Sequence, residues 1–68
     1  MLVYNQDVME LLKKSGYNTT RILKENLLSQ SAMQDIRTGK MIGIRSLEKV
    51  CGLTGCQPGE IIRYEKEG

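Results

Sequence analysis

The positions of the helix-breaking residues constrain this chain more than anything else in it. Gly16, Gly39, Gly43, Gly55 and the Pro58-Gly59 pair are spaced so that they delimit short segments, and the apolar residues between them recur at three- and four-residue spacing. That pattern predicts four or five short helices. The aromatic residues are Tyr4, Tyr17 and Tyr64, with no Phe or Trp, so the core has to be filled by Leu, Ile, Val and Met, which suits helix packing better than a sandwich of sheets. With 68 residues, the chain buries only about 60% of the surface its unfolded form would expose. It therefore has material for one small domain, residues 1–68, with a thin core. No internal repeat or low-complexity linker divides it.

The segments can be placed one by one. Asn5 is positioned to cap a first helix from about Gln6 to Ser15, with Val8, Leu11 and Leu12 inward and a favourable Glu10–Lys14 pair expected at i, i+4. Gly16 ends it by accepting a left-handed backbone. Asn18 caps a second helix that runs to about Asn26 with Ile22 and Leu23 inward, and Ser29 caps a third from Gln30 to about Thr38. In the third helix Met33 and Ile36 share one face, while Ser31, Gln34, Asp35 and Thr38 share the opposite, polar face. Gly43 precedes a fourth helix whose expected buried stripe is Ile44, Leu47, Val50, Cys51 and Leu53 or Thr54. Pro58 opens a last turn to Ile62. Leu2-Val3-Tyr4 and Ile62-Arg63-Tyr64 are short and β-compatible, and allow a two-stranded ribbon.

Several function classes are disfavoured. The chain has no His, the usual general acid–base at neutral pH, and no nucleophile–base pair can be named. Asp35 and Glu25 lie on different helices, and phosphate-cradling glycine motifs are missing, so no catalysis is expected. Cys51 and Cys56 are too few for a disulfide-dependent secreted domain or a zinc site and are expected as small buried thiols. No stretch approaches the roughly 18 apolar residues of a membrane span, and Met1-Leu2-Val3-Tyr4 is too short for a signal peptide. These observations point to the cytoplasm.

Charge is informative through its distribution. The net charge is only +2, but Lys13, Lys14, Arg21 and Lys24 fall in a stretch without acids. Lys40, Arg45 and Lys49 stand against Glu48 alone, while Glu60, Glu65 and Glu67 gather near the end of the sequence. A short helix, a tight turn and a helix with an amide- and hydroxyl-bearing outer face, followed by a basic loop, make helix-turn-helix geometry over about 18–38. Such a helix fits the major groove, where Gln can bond adenine in bidentate fashion and Ser or Thr can meet several base edges.

The run Asn18-Thr19-Thr20-Arg21-Ile22-Leu23 through Leu28-Ser29-Gln30-Ser31-Ala32-Met33-Gln34-Asp35-Ile36-Arg37-Thr38-Gly39-Lys40 resembles the helix-turn-helix of the Cro and repressor family, also called the xenobiotic-response-element family. The segments Leu47-Glu48-Lys49-Val50-Cys51 and Cys56-Gln57-Pro58-Gly59-Glu60-Ile61-Ile62 are similar to the tail of a compact bacterial branch of it. The resemblance implies an all-α, five-helix, lambda-repressor-like DNA-binding domain. It would act as a homodimeric transcriptional regulator on double-stranded DNA, without cofactor, metal or small-molecule substrate.

Carried over by position, Gln30, Ser31, Gln34 and Asp35 match the base-reading part of the third helix, and Asn18, Thr19 and Thr20 the second-helix start on the phosphate backbone. Lys40 and Arg45 match the basic loop and helix start beyond, with Arg37 and Thr38 as further phosphate contacts. Three positions depart from the family. Leu27 stands where a turn glycine is usual, with Asn26 before it able to go left-handed; Leu23 replaces a small residue, and Gly43 a Ser or Thr cap. Asp35 suits a nucleic-acid surface only where it accepts a bond from cytosine N4. The competing use of the same helix face is docking a protein partner.

Overall fold

The computed structural model describes residues 1–66; Glu67, the last of the acids near the end, lies outside them. Seven elements follow in order: β1 (Leu2–Tyr4), α1 (Val8–Lys14), α2 (Thr19–Lys24), α3 (Gln30–Thr38), α4 (Ile44–Thr54), α5 (Pro58–Ile61) and β2 (Ile62–Tyr64). The fold is the expected five-helix arrangement with a ribbon: β1 and β2 pair antiparallel, Leu2 opposite Tyr64, Val3 opposite Arg63 and Tyr4 opposite Ile62.

Three of the helices stop in the same way, and this sets the angles between them. In each, the residue after the C-cap region donates back across the last turn: Tyr17 N–H to Leu12 O at 2.8 Å, Leu27 N–H to Ile22 O at 2.9 Å and Lys40 N–H to Asp35 O at 2.8 Å. This is the Schellman closure, and it needs a left-handed residue just before the donor. Gly16 and Gly39 supply it after α1 and α3, and Asn26, at φ 54°, supplies it after α2. Asn26 therefore does what the missing turn glycine would have done.

The core is a single cluster of Val8, Leu12, Ile22, Leu28, Ala32, Met33, Ile36, Ile42, Val50 and Ile61. Every helix contributes, and Leu28 and Ile42 contribute from connections, so the turns are part of the packing. Half-buried Tyr4, Leu11, Leu27, Leu47, Leu53 and Ile62 among others surround it.

Several local expectations are corrected. Helix α1 begins at Val8 behind Asp7, whose carboxylate accepts from Glu10 N–H at 3.2 Å. Asn5 instead continues the ribbon, its side-chain amide donating to Gly59 O at 2.8 Å and Ile62 O at 3.1 Å. The i, i+4 ion pair that closes is Arg21–Glu25 at 2.7 Å; Glu10–Lys14 is not closed among the described residues.

Leu23 is 42% exposed, not inward, because a helix of six residues turns one narrow stripe to the core and Ile22 occupies it. Ile44 is 78% exposed: Ile42, two residues earlier, already fills the core position, so Ile44 projects beyond it. Cys51 and Cys56 are free but only half-buried, and partial burial, with the neighbouring Cys56 behind it, raises the Cys51 thiol pKa.

A domain this size has a total stability of about 3–10 kcal/mol. Leu12→Ala, at a fully buried position, should cost about 2–5 kcal/mol and leave much of the protein unfolded at 37 °C. Leu23→Ala should cost under about 1 kcal/mol; urea titrations followed by circular dichroism measure both.

Candidate nucleic-acid interface

Helices α2 and α3 form the helix-turn-helix. The Asn18 side chain accepts from Arg21 N–H at 2.8 Å and Ser29 Oγ accepts from Ala32 N–H at 3.0 Å, so both expected caps are in place. Between them the left-handed Asn26 reverses the chain, Leu28 enters the core and Ser29 starts α3. The turn thus fixes which face of α3 looks outward.

Along α3 the division is sharp. Ala32, Met33 and Ile36 are buried, while Gln30, Ser31, Gln34, Arg37 and Thr38 are exposed and Asp35 is half-buried. At about 100° per residue, Arg37, Gln30, Gln34, Thr38 and Ser31 fall within an arc of about 120° opposite the buried stripe. Two members of the arc already have partners. Thr38 Oγ1 donates to its own helix, to Gln34 O at 3.0 Å and Asp35 O at 3.3 Å. Arg37 donates from Nη2 to Thr19 Oγ1 at 3.3 Å, bracing α3 against the start of α2. Gln30, Ser31 and Gln34 keep their side-chain groups directed to solvent.

The predicted residues gather in part. Thr19, Gln30, Gln34 and Arg37 surround a hollow of about 230 Å3 whose other walls are Leu23 and Met33. Asn18 and Thr20 border a different hollow, of about 370 Å3, shared with the α1 cap Asp7 and with Met9, Glu10 and Lys13 of α1; Thr19 borders both. Lys40 stands just past the C-terminal end of α3 and Arg45 in the first turn of α4, both exposed; they, like Ser31, Asp35 and Thr38, border neither hollow.

Two residues near this face were not among the sequence candidates. Leu23, expected in the core, stands beside Gln30 and Gln34. Tyr4, on β1, reaches the loop after α3: its hydroxyl donates to Lys40 O at 2.6 Å and accepts from Ile42 N–H at 3.2 Å. The signal for Leu23 was its i, i+4 distance from Thr19, which puts both on one face of so short a helix. Nothing local could have paired Tyr4 with residues so far along the chain.

The cations divide in the same manner. Arg21 is bonded to Glu25, donates to Gly16 O at 2.9 Å and lies 4.6 Å over the Tyr17 ring; the hydrogen bond and charge of Glu25 raise its pKa further above its ordinary range. Arg63 is bonded to Glu65 at 2.9 Å. Among the described residues Lys40 and Arg45 form no ion pair, and neither do Lys13, Lys14, Lys24, Arg37 and Lys49, so their charge is available to an anionic partner. No group of three or more potential metal ligands is gathered among the described residues, and none of their helices is long and apolar enough to cross a membrane.

A short helix, a left-handed turn and a second helix with an outward arc of amide and hydroxyl groups define a helix-turn-helix DNA-binding domain. The chain belongs to the Cro/C1-type HTH DNA-binding domain family, whose family model matches residues 8–67. No characterised protein and no solved structure gives a significant match.

The left-handed turn gives a direct check of this geometry. Asn26→Gly should be neutral or stabilising by up to about 1 kcal/mol, whereas Asn26→Val should cost about 1–2 kcal/mol, both read as shifts in urea midpoint.

Proposed function

We propose that this chain is a sequence-specific double-stranded DNA-binding transcriptional regulator that places α3 in the major groove. The observation that carries the reading is the solvent-directed arc of Gln30, Ser31 and Gln34 on a helix whose other face is wholly committed to the core. Gln30 and Gln34 supply the donor and acceptor pair that adenine N7 and N6 require, and Ser31 the small hydroxyl that meets either base type. Asp35 accepts from cytosine N4. Asn18, Thr19 and Thr20 lie along the phosphates of one strand, joined by Arg37 and Thr38, and Lys40 and Arg45 neutralise phosphates beyond the end of α3. Residues 1–68 act as one such domain, in the cytoplasm.

A single α3 covers few base pairs, so useful specificity calls for two copies on a two-fold site. An apolar groove of about 820 Å3, lined by Ile44, Leu47, Cys51, Cys56 and Pro58 among others, lies apart from the α2–α3 hollow. Ile44 is the protruding apolar residue beside it, so two copies related by a two-fold axis can each place Ile44 against the other's groove. The contact is then isologous. Glu48 in the groove and Arg45 one turn earlier on α4 are complementary when two α4 helices run antiparallel.

Selection of bound duplexes from random fragments, followed by titration of the best at two salt concentrations, tests the reading. The expected result is an enriched two-fold motif and a log–log salt slope of about −0.9 per phosphate contacted. No bound duplex even at low salt would overturn it and leave the α3 face to a protein partner. Gln30→Ala should weaken the preferred site by about 1–3 kcal/mol with little change on random DNA, while Lys40→Ala should weaken all duplexes and flatten the salt slope by about one unit. Ile44→Glu, at an exposed position, should melt close to the wild type yet sediment as a monomer and lose cooperative filling of the two half-sites.

A further inference from the structure

Lys40 is the best-held residue of an otherwise irregular connection. Gly39 to Gly43 links α3 to α4 without regular structure, and two things anchor it from within: the left-handed Gly39 that closes α3 and the Ile42 side chain in the core. The peptide groups on either side of the Lys40 Cα are both bonded. Its N–H donates to Asp35 O at 2.8 Å, and its carbonyl accepts from the Tyr4 hydroxyl at 2.6 Å. The same hydroxyl accepts from Ile42 N–H at 3.2 Å. One oxygen atom therefore bridges Lys40 O and Ile42 N–H and holds the peptide on the C-terminal side of the Lys40 Cα, while the Lys40 side chain is exposed and unpaired among the described residues.

Tyr4 is itself fixed from behind. It pairs with Ile62 in the ribbon, and its own carbonyl accepts from Arg63 Nη1 at 3.3 Å. The link runs from β2 through β1 and a phenol to the loop that follows α3. Partial burial raises the Tyr4 pKa, with the Ile42 N–H pulling in the opposite direction, so the proton given to Lys40 O is retained at neutral pH.

We propose that Tyr4 is a positioning residue of the DNA interface, its hydroxyl holding the Lys40 backbone so that the ammonium meets a phosphate without first ordering the loop. This rests on the DNA-binding reading above. A contact made from a pre-ordered loop avoids the entropy of fixing it on binding, so the hydroxyl acts on affinity through Lys40 and not through any contact of its own with DNA.

The test is a double-mutant cycle on the selected duplex, with folding of each variant checked by circular dichroism. Tyr4→Phe removes one oxygen and should weaken binding about three- to tenfold, the scale of one net hydrogen bond. In a Lys40→Ala background, which keeps the backbone carbonyl, Tyr4→Phe should change binding by less than about twofold. An equal loss in both backgrounds would show a general structural effect and overturn the inference, as would wild-type affinity in Tyr4→Phe. A wild type that binds no duplex overturns the function reading itself, a distinct result. Amide exchange in the unmutated protein decides the matter if Tyr4→Phe does not fold. Ile42 N–H should exchange at least about tenfold more slowly than Met41 N–H, and more slowly still with duplex bound; equal rates, or no change on binding, would overturn it.

Discussion

The position of α3 depends on one residue outside the usual backbone region. Asn26, at φ 54°, lets Leu27 N–H reach back to Ile22 O and turns the chain so that Leu28 enters the core and Ser29 caps the next helix. Apart from Gly, which has no Cβ, and Asn or Asp, a residue there would meet a steric cost between Cβ and the following carbonyl. If that turn opened, α3 would keep its internal hydrogen bonds but lose its orientation relative to α2. The Thr19–Arg37 brace would break with it.

Once the orientation is set, the chemistry of the outer face follows from which polar groups the fold has already used. Asn18 and Ser29 are occupied as caps, Thr38 donates to its own helix and Arg37 is drawn onto Thr19. Arg21 is held by Glu25 and stacked on Tyr17. On α3 the exposed side chains left without a partner among the described residues are the amides of Gln30 and Gln34 and the Ser31 hydroxyl, and beyond its end Lys40 and Arg45 are exposed and form no ion pair. Amides carry direction and little charge, whereas cations carry charge and little direction, so the two kinds of group suit different parts of an anionic partner.

The ribbon gives a thin core a second function. Asn5, Gln6 and Arg63 bind the two chain segments together through hydrogen bonds to Gly59, Ile62, Glu60 and Tyr4. Such exposed bonds add little stability singly, but together they bring β1 beside the loop after α3. With ten buried apolar residues among those described, the domain has no rigid interior to spare, so its connections are held by side chains reaching from elsewhere in the sequence.

Helix α3 was legible to the residue from Ser29, Met33, Ile36 and Gly39, because capping, periodicity and glycine termination are all decided within a few residues of the backbone. The same local chemistry marked Asn26 as the left-handed position, the ribbon segments as β-compatible, and Gln30, Ser31 and Gln34 as a polar face. What failed was equally specific. Asn5 as a cap, Leu23 and Ile44 as core and the cysteines as buried were overturned because burial is decided by competition for a small core: Ile22 and Ile42 fill the space, and Asn5 bonds carbonyls on α5 and β2. The bond from Tyr4 to Lys40 belongs to tertiary structure alone. The sequence by itself determined where helices start and stop, since those energies are local; only the folded chain decided which side chains share a face across distant segments, since that is set by competition for a small core.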